Sequence, residues 1–243
     1  MENLIPYILT ALAVLITLTI HEFCHGYAAY KLGDNTAKLM GRLTLNPLAH
    51  LDLVGAICLL LFRFGWAKPV PINPRNFKKP RRDFALCALA GPLANILASI
   101  LSAFMLLVCI KVFTILAPNG FWYAFCNNLI DFIYIFHLVN IGLAIFNLIP
   151  VPPLDGSRVL NAVLPVRLYF KLMKYERISY YVLIVWLLFG TFLKKGVLMI
   201  PLVSNNAVLK SLTSILSLSE IIGFIIEMIS EWMIGLLSLI PFI

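Results

Sequence analysis

The chain has 243 residues, 61% of them hydrophobic and only 12% charged, with a mean hydropathy of +0.95. Soluble domains carry about a quarter charged residues, so water could not solvate a surface drawn from this composition, and a soluble globular enzyme is excluded. The net charge of +8 does not point to nucleic acid, because the basic residues fall between apolar runs instead of lining a soluble face.

Four stretches lack charge: Ile5 to Ile20, Phe84 to Ile110, Phe132 to Pro150 and Ile178 to Leu193. A bilayer core of about 30 Å takes roughly 20 helical residues, and these runs match or approach that length. Leu4 to about Tyr30 reads as one helix, apolar first and polar near its end. Its start lacks a basic side chain and no small-x-small cleavage site follows, so it is expected to be retained and not removed as a signal peptide. Lys31 to Asn35 supplies turn chemistry. Residues 36–82 read as irregular, broken by Asn46-Pro47, Gly65, Pro69, Pro71, Pro74 and Pro80. Within them Leu53 to Phe62 is an apolar run of 10 residues. A second long helix covers Phe84 to Ile110, with Gly91-Pro92 expected to kink it. A third runs from about Phe121 to Ile149 and stops at Pro150-Val151-Pro152-Pro153. Ile178 to Leu193 is a fourth. From Glu220 to Ile243 the only charges are Glu220, Glu227 and Glu231, on one helical face that suits the bilayer interface or packing against protein.

Arg63, Lys68, Arg75, Lys78, Lys79, Arg81 and Arg82 form one basic cluster, and Arg158, Arg167, Lys171, Lys174 and Arg177 another. The positive-inside bias expects such clusters in cytoplasmic loops. The five cysteines show no Cys-x-x-Cys spacing, which argues against a disulfide framework and against a thiolate zinc site.

His21-Glu22-Phe23-Cys24-His25 is a His-Glu-x-x-His motif inside a helix. Residues four apart share a helical face, so both imidazoles can reach one ion. Glu22 lies on the flank, where it can bond a metal-held water. Three fixed positions match by chance in ordinary proteins, and two histidines packing a helix end is the bland reading. Ionisable residues within a membrane span, however, are costly and functional by default. A catalytic zinc site takes three protein ligands and leaves a position for water. Asp155, just past the proline-broken end of the third helix, is placed to be the third. Alone, Asp155-Gly156 would read as a turn.

Topology supplies an independent argument. His21 lies about 25 Å along its helix from Leu4, toward the far end of the span. If Leu53 to Phe62 does not cross, the next two helices form a hairpin that returns Asp155 to the side of His21 and His25, and both basic clusters land there too. If it did cross, the ligands would lie on opposite faces. The run is therefore expected to be re-entrant or peripheral.

At these residues the chain resembles the site-2 protease family of intramembrane metalloproteases, in its compact prokaryotic form. The likeness covers most of residues 15–165. It rests on His21 to Gly26, Gly41-Arg42-Leu43-Thr44-Leu45-Asn46-Pro47, Gly65-Trp66-Ala67-Lys68-Pro69-Val70-Pro71, Ala90-Gly91-Pro92-Leu93-Ala94-Asn95, and Phe146 to Pro150 through Asp155-Gly156. The resemblance implies one zinc ion held by His21, His25 and Asp155, with Glu22 as general base. It implies that the stretch near residues 66–77, including Pro69, Val70, Pro71 and Asn73, holds an extended substrate, and that Asn140 stabilises the oxyanion. Asp52-Leu53 stands where many members have Asp-Pro, and Asp155-Gly156-Ser157 where they have Asp-Gly-Gly. No PDZ-like insertion or nucleotide-sensing domain is expected within this length.

The resulting expectation is an all-α polytopic membrane protein with a three-helix catalytic core, further helices, and a short re-entrant or extended element, open to β pairing, between the first two core helices. One membrane-embedded protease domain spans 1–243, with a core of about 4–165, the re-entrant region about 36–82 and C-terminal helices about 178–243. It sits in a prokaryotic cell membrane with its site toward the cytoplasm. The expected partners are the bilayer and a single-span or otherwise hydrophobic membrane-protein substrate, with self-association left open. The rival class is a membrane scaffold or transporter with a metal site, but a closed structural site would need a fourth ligand and no Glu22. A loop-ordering hydrogen bond is expected of His50, and an interhelical one of His137.

Overall fold

The computed structural model describes residues 4–62, 66–183, 185 and 218–239. In chain order it contains α1 (Ile5–Lys31), α2 (Thr36–Leu39), α3 (Pro47–His50), α4 (Leu53–Phe62), a 3-10 turn (Pro74–Asn76), α5 (Pro80–Leu116), α6 (Gly120–Leu148), α7 (Asp155–Val163), α8 (Val166–Met173) and α9 (Leu218–Ser238). Residues 176–183 are also helical; the rest of the expected Ile178 to Leu193 helix, apart from residue 185, lies outside the described residues. No β-strand occurs among the described residues. Among the described residues, four helices are long and apolar enough to cross a bilayer: α1, α5, α6 and the Ile221–Ser238 part of α9.

Three of these form the core. α5 packs along α6 and α1, α1 also meets α6, and α7 lies against α5 and the end of α6. α5 begins earlier than its apolar run suggests. Pro80 sits in its first turn, where a missing N–H costs nothing because that group would be unpaired anyway. Pro80, expected to break helix, instead starts one.

α4 has 10 residues, about 15 Å at helical rise and half a bilayer core. Its flanks come back together: Leu51 and Ala67 form an isolated antiparallel bridge, and Lys68 N–H donates to His50 O at 2.8 Å. A segment whose two ends are hydrogen-bonded to each other makes an excursion and returns. The re-entrant expectation and its β pairing are thus both met, the pairing in a single bridge.

α9 docks on α5 and α6 through small contacts. His137 on α6, fully buried, reaches Ser99 Oγ on α5 at 2.9 Å and Ser230 Oγ on α9 at 2.8 Å. Ser230 and Met233 face inward, whereas Glu227 and Glu231 are exposed. These two acids do not pack their stripe against protein. The inward face belongs to the small serine because a buried carboxylate without a partner is far more costly.

Candidate metal centre

His21 and His25 occupy successive turns of α1 and are 4% and 6% exposed. They are buried because α5 crosses directly over them at Gly91. A Cβ on Gly91 would stand 2.5 Å from His25 Nε2 and 2.7 Å from His21 Cε1, so glycine is the residue that lets the helices approach this closely. Gly91 does more than precede Pro92: α5 continues through the proline, and the absent side chain at Gly91 makes room for the rings.

Asp155 comes from the far end of the core. α6 stops at Leu148, the proline-rich stretch turns the chain, and Asp155 opens α7 in its first turn. The neighbouring glycine is not a turn residue. A Cβ at Gly156 would lie 2.3 Å from Leu148 O, so Gly156 brings the start of α7 against the end of α6 and aims Asp155 at the histidines.

The three donor atoms make a nearly equilateral triangle: His21 Nε2 to His25 Nε2 is 2.9 Å, His25 Nε2 to Asp155 Oδ2 3.0 Å, and His21 Nε2 to Asp155 Oδ2 3.1 Å. Ligands of one tetrahedral zinc at about 2.0–2.2 Å stand some 3.3–3.5 Å apart, so the triangle needs only a slight expansion. Its electrostatics call for a cation. His25 Nδ1 meets Cys87 O at 2.8 Å, and a carbonyl can only accept, so the ring's hydrogen points outward and Nε2 presents a lone pair. His21 Nδ1 meets Asn95 Oδ1 at 2.6 Å and gives the same result. Two lone pairs and a carboxylate oxygen this close repel unless positive charge lies among them. Among the described residues this is the one cluster of three or more His, Cys, Asp or Glu arranged to hold an ion. Two imidazoles, one carboxylate and a neighbouring free glutamate are the donor set of a catalytic zinc site.

Glu22 shares a cavity of about 180 Å³ with these residues, walled by Pro69, Val70, Asn147 and Arg158. Its Oε2 accepts the Val70 N–H at 2.8 Å, which leaves Oε1 for other work. A larger cavity of about 320 Å³ adjoins, bounded by Leu18, Trp66, Leu143, Phe146 and Leu183, and also reached by His21, Glu22 and Asn147.

The extended segment over the cavity is tied to α1 and its following turn. Asn73 N–H and Asn76 Nδ2 both donate to Asp34 at 2.7 Å, and Arg42 Nη2 donates to Lys68 O and Pro69 O. Pro69 and Val70 border the site. Asn73 does not: its N–H is given to Asp34 and its Oδ1 caps the Pro74–Asn76 turn. Pro71 is likewise not on the cavity wall.

Asn140 departs from its expected place. It is fully buried, and its amide donates to Thr17 Oγ1 at 2.9 Å and Phe136 O at 2.8 Å, while Oδ1 accepts from Asn95 at 2.8 Å. No hydrogen remains for a substrate oxyanion. The carboxamide that does border both cavities is Asn147, two helical turns further along α6. It gives one amide hydrogen to Leu143 O at 3.1 Å and has a second. Asn95 stood in the sequence only as the end of a motif block and Arg158 only as a member of a basic cluster; their places behind His21 and on the cavity wall appear in the structure. His50 behaves as expected, its Nε2 donating to Thr44 O at 2.8 Å, outside the triangle.

The fold and this centre define a membrane protein with a zinc-type hydrolytic site. Residues 9–190 match the model of peptidase family M50, the site-2 protease family, and the chain belongs to that family. It is 41% identical over 185 residues to the Bacillus subtilis (strain 168) protein named "Putative zinc metalloprotease YwhC", covering 75% of this chain and 80% of the relative. It is 28% identical over 159 residues to "Putative zinc metalloprotease Rip2" of Mycolicibacterium smegmatis, covering 64% of this chain and 57% of that protein. With "Zinc metalloprotease MJ0392" of Methanocaldococcus jannaschii it shares 25% identity over 164 residues, 68% of this chain and 37% of that one. No solved structure matches. The protein is a membrane-embedded zinc metalloendopeptidase of the M50 family.

Proposed function

We propose that this protease hydrolyses peptide bonds in or near transmembrane segments of other membrane proteins, with His21, His25 and Asp155 holding one zinc ion and Glu22 serving as general base. One domain over residues 1–243 carries the activity, in a prokaryotic cell membrane with the site open toward the cytoplasm, where both basic clusters lie. The observation that supports the reading best is the donor triangle, two of whose three members lie in a candidate span, with Glu22 in the same cavity.

The zinc, when bound, polarises the substrate carbonyl and lowers the pKa of water from 15.7 toward about 7. Glu22 Oε1 takes the proton of the attacking water and returns it to the leaving amine, while Val70 N–H on Oε2 keeps the carboxylate turned toward the cavity. Asn147, in place of Asn140, donates its second amide hydrogen to the developing oxyanion, a role typically worth about 3–4 kcal/mol per donor. A transmembrane helix has its amides bonded internally and must unwind to be cut. The larger apolar cavity beside Asn147 takes an unwound side chain, and the Pro69–Val70 wall holds the freed backbone in line.

The test is Glu22→Gln assayed on a panel of zinc-dependent, single-span peptide substrates. Zinc content stays at the wild-type level, because all three ligands remain, and the cleavage rate falls about 10²–10⁴-fold. Cleavage at the wild-type rate would remove Glu22 from the mechanism.

A further inference from the structure

We infer that Asn95 and Asn140 form a relay that fixes the tautomer of His21 and so aims its Nε2 lone pair at the metal; the inference rests on the reading of His21 as a zinc ligand.

The direction of each bond follows from one backbone group. Phe136 C=O can only accept, so the Asn140 group 2.8 Å from it must be the NH₂. That turns Asn140 Oδ1 toward Asn95, which must therefore present its own NH₂ at 2.8 Å, with a longer contact to Thr17 O at 3.4 Å. Asn95 Oδ1 is then the atom that faces His21 Nδ1 at 2.6 Å. An oxygen there requires hydrogen on Nδ1, and Nε2 is left bare. Thr17, Asn95 and Asn140 are all fully buried, so no water competes for these bonds.

Reversing either carboxamide carries a penalty at both of its ends. A flipped Asn95 would set its NH₂ against Nδ1 and drive the ring hydrogen onto Nε2, where the metal belongs. It would also oppose two amide oxygens across a 2.8 Å gap. A flipped Asn140 would point oxygen at the Phe136 carbonyl. His25 reaches the same tautomer in one step, because Cys87 O lies directly behind it. Both ligands thus end on a backbone carbonyl: His25 directly on Cys87 O of α5, and His21 on Phe136 O of α6 through Asn95 of α5 and Asn140 of α6. Asn95 and Asn140 are positioning residues in this scheme.

The experiment measures zinc affinity by chelator competition on monodisperse full-length protein, with imidazole ¹⁵N spectra alongside. Asn140→Ala frees Asn95 to rotate and lowers zinc affinity about 10–100-fold, the usual range for losing a ligand's orienting partner. Asn95→Asp alone also weakens binding, because its second oxygen faces Asn140 Oδ1. Combining Asn95→Asp with Asn140→Ala recovers most of the loss, since a carboxylate presents oxygen to Nδ1 in either orientation. A purely structural role predicts additive damage in the double variant.

Additive damage, or a folded Asn140→Ala with wild-type affinity, overturns the relay. If Asn140→Ala does not fold, the zinc-loaded wild type decides: imidazole ¹⁵N spectra show His21 with hydrogen on Nδ1 and metal on Nε2, and the reverse pattern overturns the relay. A wild type that binds no zinc, or a His21→Ala variant that binds normally, instead refutes the ligand assignment beneath it.

Discussion

Gly91→Ala tests the metal centre without replacing a ligand. The added methyl would stand 2.5 Å from His25 Nε2, 2.6 Å from His25 Cε1 and 2.7 Å from His21 Cε1, against an ordinary contact distance of 3.4 Å or more. The nearest ring must therefore move by about 0.9 Å, the difference between 3.4 and 2.5 Å. Zinc sites hold their bond lengths within about 0.2 Å, so a shift of this size breaks the coordination. His25 cannot swing aside, because Cys87 O, one turn earlier on the same helix, holds its Nδ1. The strain passes to the spacing of α1 and α5 and stretches the His21–Asn95 bond.

Zinc affinity should fall at least about 10–100-fold. At a fixed excess of zinc, the stabilisation gained on adding metal should then shrink by about 1.4–2.7 kcal/mol. Thermal melts of the detergent-solubilised protein with zinc and with chelator measure that gain directly. Gly235→Ala is the control, since no atom lies within 4 Å of its added Cβ. A folded Gly91→Ala protein with the wild-type zinc increment would refute the placement of the two histidines beneath α5.

Asp155→Ala should lose zinc on folded protein while His50→Ala keeps it, because the His50 ring is committed to Thr44 O; metal analysis giving the reverse would dismiss Asp155 as a ligand. Asn147→Ala should cut kcat about 10²–10³-fold with little change in KM, and a KM effect alone would make Asn147 a docking residue. Asp34 tests the anchoring of the overhanging segment. Burial opposes its charge, but hydrogen bonds from Thr36, Asn73 and Asn76 outweigh this and hold its carboxyl below the ordinary value. A depressed folded pKa stabilises above the unfolded value of about 3.9, and that stability is lost as pH falls through the folded value. Asp34→Asn should thus be about 1–3 kcal/mol less stable at pH 7. The gap should narrow below about pH 4, and melts showing a gap independent of pH would refute the assignment.

The parts of the site that follow from local periodicity were legible in the sequence. Two histidines four apart on an apolar helix need no partner to be recognised, and the non-crossing run Leu53 to Phe62 put Asp155 on their side by counting spans. What eluded the sequence depends on how far one helix slides along another. Asn140 and Asn147 are seven residues apart on one face of α6, so periodicity alone makes them equivalent. Only the axial position of α6 against α1 puts Asn147 at the cavity and Asn140 about 10 Å away, behind His21. Asn95 is 74 residues from His21, and nothing near it signals a histidine. Gly91 looked like the partner of a kinking proline because the atoms that demand a glycine belong to another helix.

The overhanging segment is better understood as a wall than as an open strand edge. Its donors at Lys68, Val70 and Asn73 go to His50 O, Glu22 Oε2 and Asp34 Oδ2, and Pro69 and Pro71 have no N–H to offer. Arg42 takes the carbonyls of Lys68 and Pro69. A substrate strand pairing here would therefore find few free donors, and those at Lys68, Val70 and Asn73 already spent on the protein itself. What the segment supplies is position. Val70 packs against Gly26, where a Cβ would sit 3.1 Å from Val70 Cγ1, and this close seat brings Val70 N–H onto Glu22. The glycine after the second histidine, the prolines that empty the outer edge and the buried Asp34 all serve the same end, a fixed backbone hydrogen on Glu22, the proposed base. Under the proposed function, substrate recognition then falls chiefly to the apolar cavity between α1 and α6, which suits greasy side chains of a locally unwound helix rather than a backbone pattern.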